Sequence, residues 1–296
     1  MPALKSIMVR EIFRREMAKR PPRNDINETR KGLDEMGGRA SVAIGTRIEP
    51  VVFAGVPGEW LIPENDDKTH VLLYLHGGAY SVGSCESHRG MVSQYAKACG
   101  ARALLPEYRL APEHPFPSGL EDATAVYTEL LKTYAPEQIA IAGDSAGGGL
   151  TLATIQALRE KQIPLPASIA LISAWTDLLA TGQSMHTRAK KDPWFNPDGV
   201  VEAAQLYYQS EDPKNPKVSP VFADYTGFPP MLLHVGDWEI LLNDSTRVAQ
   251  KAREQGVDVT LEIWDGMWHV WHAFYDQVPE GLQAITQVGE FVQKHW

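Results

Sequence analysis

A serine flanked by glycines follows a short apolar run at residues 138–142. Residues 143–147 read GDSAG, so Ser145 matches the pattern G-x-S-x-G. The apolar run is long enough for a buried strand, and residues 150–161 carry apolar side chains at helical spacing. Ser145 is therefore predicted on a tight strand-to-helix turn, where it is exposed as a nucleophile above the edge of a sheet. A phosphate-binding loop is the alternative, but neither the G-K-[ST] nor the G-x-G-x-x-G pattern occurs at this position.

A nucleophilic serine needs a base that accepts its proton and a carboxylate that orients the base. With this kind of turn, the expected chain order is serine, acid, histidine. His269 and His272 follow a predicted strand that ends at Trp264. His269 is the preferred base because it lies closer to the strand, and His272 is the second choice. His234 lies inside a predicted strand and is interpreted as a core histidine.

The acid is expected just after the preceding strand, which is predicted at residues 231–235. Asp237, Glu239 and Asp244 are the candidates. Asp244 is explained more simply as a negative charge at the N-terminus of a helix. The spacing along the chain does not separate Asp237 from Glu239.

A second glycine-rich motif, HGG at residues 76–78, follows another predicted strand and precedes the serine. Glycine lets the backbone approach a reacting group closely. The backbone N–H groups of Gly77, Gly78 and Ala146 are therefore predicted to form an oxyanion hole, which would stabilise the negative oxygen of a tetrahedral intermediate. His76 lies before the serine and is predicted to be structural.

These residues need a scaffold that brings strand ends together. Strands alternate with helices from residue 71 onward, which predicts an α/β fold with a mostly parallel, doubly wound sheet and ligands at the strand C-termini. Residues 181–217 break the alternation and are predicted to form a cap insertion, assigned most narrowly to residues 183–215. We accordingly divide the chain into N-terminal cap helices at residues 1–45 and a catalytic domain at residues 46–296.

The first predicted element is an amphipathic helix at residues 1–20 that packs over the active site or the body of the domain. Its predicted apolar side carries Leu4, Ile7, Met8, Ile12, Phe13 and Met17.

The composition argues against several partners. The chain has 296 residues, a net charge of −9 and no long basic run, so nucleic acid and anionic membrane surfaces are not expected. No apolar run approaches the ~20 residues of a membrane span. Only Cys85 and Cys99 occur, which favours a reducing compartment, and we predict a cytoplasmic protein. No metal-ligand spacing is present, so no metal site is predicted.

Longer motifs make a resemblance specific. The chain resembles the bacterial hormone-sensitive-lipase family (family IV) of esterases, in the α/β-hydrolase superfamily. The motifs that carry the resemblance are HGGAY at 76–80, EYRLAPEHPFP at 107–117 and GDSAGG at 143–148, with SP at 219–220 and FPP at 228–230.

The resemblance covers about residues 45–296. It implies the α/β-hydrolase fold with a helical cap built from the N-terminal helices and the insertion. It also implies Ser145 as nucleophile and His269 as base. The family's acid usually lies two residues before a leucine, in a pattern like Asp-Pro-Leu. Here that position is Glu239 in EIL at 239–241, so the resemblance favours Glu239 over Asp237 although aspartate is commoner.

The resemblance implies a serine carboxylesterase that hydrolyses small-molecule esters with short to medium acyl chains through an acyl-enzyme, without a cofactor. An amidase or deacetylase with the same triad is an alternative, because leaving groups are selected by pocket shape. A non-catalytic receptor of the same fold is a further alternative, but the presence of His269 argues against it. A homodimer is possible. The aromatic residues Trp194, Phe195, Trp238, Trp268 and Trp271 are predicted either to line an apolar pocket or to pack in the core.

Overall fold

The computed structural model describes residues 2–19 and 25–296, and within these residues eight strands form one sheet. In chain order they are β1 (Arg47–Phe53), β2 (Val56–Ile62), β3 (Val71–Leu75), β4 (Arg102–Pro106), β5 (Ile139–Asp144), β6 (Ser168–Ile172), β7 (Met231–Gly236) and β8 (Val259–Trp264). Their spatial order is β1-β2-β4-β3-β5-β6-β7-β8. Strand β2 pairs antiparallel with β1 and β4, and all the remaining pairs are parallel.

The helices are α1 (Leu4–Lys19), α2 (Ile26–Gly37), α3 (Cys85–Cys99), α4 (Ser118–Leu130), α5 (Ala146–Glu160), α6 (Ser184–Thr187), α7 (Pro197–Tyr208), α8 (Leu242–Glu254) and α9 (Pro279–His295). Helices α4, α5 and α8 share one apolar core with the sheet, and α3 and α9 share the other. The central strands β3, β5 and β6 are buried at every residue because helices cover both of their faces. The predicted doubly wound, mostly parallel sheet is confirmed.

Within the insertion, the structure has the short helix α6 followed by the longer helix α7. The assignment of residues 1–45 and 183–215 to a cap stays a prediction. In the part of the chain that the structure describes, no helix has both the length and the apolar character needed to cross a membrane.

The first predicted helix forms, as α1, but its buried face is only partly the predicted one: Phe13 is buried and Ile7 and Met17 are half-buried. Met1 and residues 20–24 lie outside the described residues, so both ends of the prediction fall there. Leu4, Met8 and Ile12 are 74%, 58% and 55% exposed, whereas Ser6 and Arg10 are buried beside Phe13. The orientation is set by polar contacts, because Ser6 donates to the Glu280 carboxylate and Arg10 donates to a backbone carbonyl.

Candidate active site

Ser145 lies on the sharp turn between β5 and α5. Its backbone has φ 52° and ψ −121°, a conformation that a non-glycine residue rarely adopts. A Cβ atom at Gly143 would collide with the Gly147 carbonyl, and one at Gly147 would collide with the Leu75 carbonyl of β3. The two glycines therefore let α5 start directly against the sheet. The Ser145 N–H donates to the Ile172 carbonyl at 2.8 Å, which ties the turn to the end of β6.

Glu239 and His269 meet at the ends of the next strands. Nδ1 of His269 lies 3.0 Å from Oε2 of Glu239. Oε1 of Glu239 accepts from the Gly236 N–H at 2.6 Å and from the Ser173 hydroxyl at 2.9 Å. Glu239 is 0% exposed and His269 2% exposed. The pair is thus buried, and both oxygens of the carboxylate have partners.

The other candidate acids bind backbone groups instead. Asp237 accepts from the Gly266 N–H at 2.6 Å. Asp244 is fully buried in the first turn of α8, and its Oδ2 accepts from the N–H groups of Thr176 and Asp177. Burial raises the pKa of Asp244 to about 7. Neither carboxylate has a hydrogen bond to His269 in the part of the chain that the structure describes.

His272 and His234 belong to a separate buried group. The Tyr95 hydroxyl is hydrogen-bonded to Nδ1 of His272, and Nε2 of His272 lies 3.3 Å from Nδ1 of His234. Both histidines are 0% exposed. Neither is hydrogen-bonded to Glu239, so the structure pairs Glu239 with His269.

The Ser173 hydroxyl links Glu239 to the loop that carries His269, and the sequence analysis missed this residue. Ile172, which precedes it, pairs with Asp144 in the sheet, so Ser173 and Ser145 follow neighbouring strands at the same level. The Ser173 hydroxyl donates to Glu239 and accepts from the Val270 N–H at 3.1 Å. The sequence did carry a signal for Ser173, because this serine directly follows β6, the strand that pairs with β5.

In the HGG motif at residues 76–78, the structure differs from the predicted oxyanion hole at Gly77. The Gly77 N–H donates to Oδ1 of Asp144 at 3.0 Å, so it is not free to donate to an oxyanion. Asp144 also accepts from the Tyr74 hydroxyl at 2.9 Å, and Nε2 of His88 lies 3.5 Å from its Oδ2. Burial by itself would raise the pKa of Asp144, but His88 and the Tyr74 hydroxyl outweigh it and hold the pKa below its usual value.

The neighbouring N–H groups remain available. Gly78 has φ 119° and Ala79 has φ 52°. Within residues 2–19 and 25–296, no hydrogen-bond acceptor is found for the N–H groups of Gly78, Ala79 or Ala146. Ala146 is the first residue of α5, where backbone N–H groups have no partner inside the helix. Ala146 directly follows Ser145, and Gly78 and Ala79 directly follow Gly77, whose N–H is bound to Asp144, the residue before Ser145.

Helix α1 contacts both loops that carry the acid and the base. Nη1 of Arg10 donates to the Gly266 carbonyl at 2.7 Å. The Arg10 guanidinium carbon lies 3.3 Å from the ring centre of Trp238, the residue before Glu239. Arg10 is only 5% exposed, so α1 is held against the site by a buried cation.

A parallel sheet of this order, with a serine elbow after β5 and an acid–histidine pair after β7 and β8, defines an α/β-hydrolase. A family model described as an α/β-hydrolase fold matches residues 72–273. An acetyl-hydrolase of Streptomyces hygroscopicus is 42% identical over 86% of this chain and 87% of its own length. An esterase of Acinetobacter venetianus is 35% identical over 83% of this chain and 81% of its own.

Solved structures give the same result. An esterase from the bacterial hormone-sensitive lipase family superposes with a TM-score of 0.96 at 42% identity, over 100% of this chain and 99% of the other. The chain therefore belongs to the hormone-sensitive-lipase family of α/β-hydrolases. It is a carboxylic ester hydrolase, as the resemblance in the sequence predicted.

Proposed function

We propose that the chain hydrolyses esters with short to medium acyl chains through an acyl-enzyme, with Ser145 as nucleophile, His269 as base and Glu239 as acid. The observation that carries this proposal is the buried hydrogen bond between His269 and Glu239. The pair follows β7 and β8, on the same edge of the parallel sheet as the elbow that follows β5.

The chemistry follows from these roles. The Ser145 hydroxyl oxygen attacks the ester carbonyl carbon while His269 accepts the hydroxyl proton through Nε2. Glu239 holds Nδ1–H of His269 and stabilises the imidazolium. When the bond to the alcohol breaks, His269 returns the proton to the alcohol oxygen. Water, deprotonated by the same histidine, then attacks the acyl-enzyme and releases the carboxylic acid.

Gly78, Ala79 and Ala146 are the proposed oxyanion donors. Their N–H groups are unpartnered within the described residues, whereas the Gly77 N–H is bound to Asp144. In this proposal Gly77 supports the hole through Asp144 rather than donating to the oxyanion. Donors that are fixed before the reaction stabilise the transition state without reorganisation.

Aromatic packing near the elbow supports short acyl chains. The backbone N–H of Trp175 donates to the Ser145 carbonyl at 2.8 Å. The centre of the Trp175 ring lies 5.9 Å from that of the Tyr80 ring. Tyr80 stacks on Tyr207 of α7 at 3.7 Å between ring centres. These three side chains are at most 3% exposed, and in this proposal they limit the length of the acyl chain. Two similar proteins are named acetyl-hydrolases, and a related structure was soaked with p-nitrophenyl butyrate.

The nucleophile is tested by Ser145→Ala, which should abolish p-nitrophenyl butyrate hydrolysis and labelling by an organophosphate, with an unchanged melting temperature. Ser168→Ala is a matched control, because Ser168 is also a buried serine and its hydroxyl has no hydrogen-bond partner among the described residues. It should retain full activity. If Ser145→Ala keeps a tenth of the wild-type turnover, the assignment is wrong.

A cytoplasmic location belongs to the same proposal. Cys85 and Cys99 are both free and buried, as expected for a protein from a reducing compartment. The proposed partner is a small-molecule ester.

A further inference from the structure

Two aromatic rings of the insertion lie against the base. Trp194 and Phe195 are stacked with their ring centres 5.6 Å apart and their planes 8° apart. Phe195 approaches the His269 ring edge to face at 4.8 Å, and Trp194 does so at 6.0 Å. Both rings are only half-buried. They therefore form an apolar surface beside His269, which we call the aromatic wall.

The wall is held in place by a buried carboxylate. Oδ1 of Asp192 accepts from the N–H groups of Trp194 at 2.8 Å and Phe195 at 3.0 Å. Oδ2 of Asp192 accepts from the N–H of Ile240, the residue after Glu239, at 2.9 Å. Asp192 is 7% exposed. One side chain thus fixes the wall relative to the turn that carries the acid.

Helix α1 supports the wall from behind. Phe13 of α1 is 7% exposed and meets the Trp194 ring edge to face at 5.2 Å. Trp268 and Trp271, by contrast, are fully buried and belong to the core. Of the five aromatic residues left open by the sequence, Trp194 and Phe195 are the two that lie half-buried against His269.

The chemistry assigns one half of the substrate to this wall. Because Nδ1 of His269 is bound to Glu239, Nε2 on the other side of the ring must deliver the proton to the leaving alcohol. The alcohol oxygen must then come within about 3 Å of Nε2. The group attached to that oxygen is therefore placed next to the rings that border His269.

We propose that Trp194 and Phe195 form the subsite for the alcohol half of the ester and select flat aromatic alcohols, such as arylmethyl alcohols. This inference rests on the proposed role of His269 as the base. An aromatic ring can stack on Phe195 or meet it edge to face, and such pairs stabilise contacts beyond their buried area. A saturated ring of similar size buries comparable area but lacks this interaction.

The test compares two acetates whose alcohols differ only in the ring, benzyl acetate and cyclohexylmethyl acetate. In the wild-type protein kcat/KM should be higher for benzyl acetate. Phe195→Leu and Trp194→Leu should each lower the benzyl-to-cyclohexylmethyl ratio roughly two- to tenfold, the range expected for one aromatic pair. The ratio of benzyl acetate to benzyl butyrate, which reports on the acyl half, should not change.

Phe53→Leu is a matched control. Phe53 is also a half-buried phenylalanine in an edge-to-face pair, but its partner is Trp60 in the antiparallel part of the sheet. This variant should leave both ratios unchanged. The proposal would be overturned if folded Phe195→Leu and Trp194→Leu kept the wild-type benzyl-to-cyclohexylmethyl ratio. It would also be overturned if these variants changed the acetate-to-butyrate ratio in place of the benzyl-to-cyclohexylmethyl ratio.

A binding measurement covers the case in which the variants do not fold. Benzyl alcohol should inhibit the wild-type protein more strongly than cyclohexylmethanol, and equal inhibition would overturn the subsite. Failure of the proposed role of His269 is distinguishable, because it would appear as activity retained by a folded His269→Ala variant, a measurement that is independent of the wild-type substrate ratios.

Discussion

At the scale of single residues, the position of Glu239 supports the proposal that this carboxylate orients His269. Glu239 accepts three hydrogen bonds, from Gly236, Ser173 and His269, and has no contact with water. Asp237, two residues earlier, accepts from the Gly266 N–H and lies outside this group. The Glu239 side chain reaches back across the turn to the Gly236 N–H, which supports the proposal that glutamate takes the place of the commoner aspartate.

We expect Glu239→Gln to lower kcat by on the order of 10⁴, because an amide keeps the shape but does not hold the imidazole in the required tautomer or stabilise its charge. Asp237→Asn should cost less than tenfold, since the amide oxygen can still accept from Gly266. Both variants need kcat with p-nitrophenyl acetate and a melting curve. A dead but folded Asp237→Asn beside an active Glu239→Gln would show that Asp237 is the acid.

At the scale of elements, Arg10 of α1 binds the two loops that follow β7 and β8 and carry Glu239 and His269. Its guanidinium stacks on Trp238 and binds the Gly266 carbonyl, while Leu4, Met8 and Ile12 point outward. A stacked cation contributes roughly 0.5–2 kcal/mol, and a hydrogen bond from a charged group about 1.5–3 kcal/mol. The N-terminal helix thus stabilises the loops that follow β7 and β8.

We expect Arg10→Ala to lower the melting temperature and to reduce kcat three- to tenfold with a smaller change in KM, because the loops of Glu239 and His269 lose a common anchor. Arg10→Lys should recover part of kcat, since the charge remains. Arg14→Ala is the matched control, because Arg14 lies one turn later, is 46% exposed and pairs only with Glu11 among the described residues. Equal kcat for Arg10→Ala and Arg14→Ala would contradict the anchoring role.

At the scale of the whole molecule, three buried histidines make stability depend on pH. His76, His234 and His272 are 0% exposed. Burial lowers the pKa of His76 and His234 to about 3 and that of His272 well below its ordinary value. In the unfolded chain they titrate near pH 6.5. As the pH falls below about 6.5, the unfolded state binds protons that the folded state does not.

We therefore expect the free energy of unfolding to fall from about pH 6.5 towards pH 3, with each histidine contributing up to about 1.4 kcal/mol per pH unit. Urea unfolding at pH 7.5, 6 and 5 measures this dependence. His234→Gln should make the loss between pH 7.5 and 5 smaller, whereas His114→Gln, at an exposed site, should not. An acid dependence of His234→Gln that equals the wild-type dependence would refute this explanation.

The sequence by itself determined the features for which few residue types are compatible with the required backbone geometry. A serine elbow needs glycine on both sides, and parallel strands need continuous apolar runs, so the sheet and the strand-to-helix turn at Ser145 were predictable, whereas the roles of nucleophile, acid and base stay predictions. His269 could be preferred over His272 because only the first residues after a strand lie at the sheet edge. These features depend on local spacing, which a single chain displays directly.

Only the tertiary structure decided contacts between segments that are distant in the chain. Glu239 and Asp237 both follow β7, and the hydrogen bonds of Ser173 and His269 separate them. The Gly77 N–H donates to Asp144, which lies 67 residues later in the chain. The spacing of residues along the sequence does not reveal this hydrogen bond. Helix α1 buries Arg10 rather than Leu4 because Trp238 and Gly266 provide partners for a cation. The positions of Glu239, Gly77 and Arg10 depend on hydrogen-bond partners that are distant in the chain, and the pattern of apolar residues along the sequence does not predict such partners.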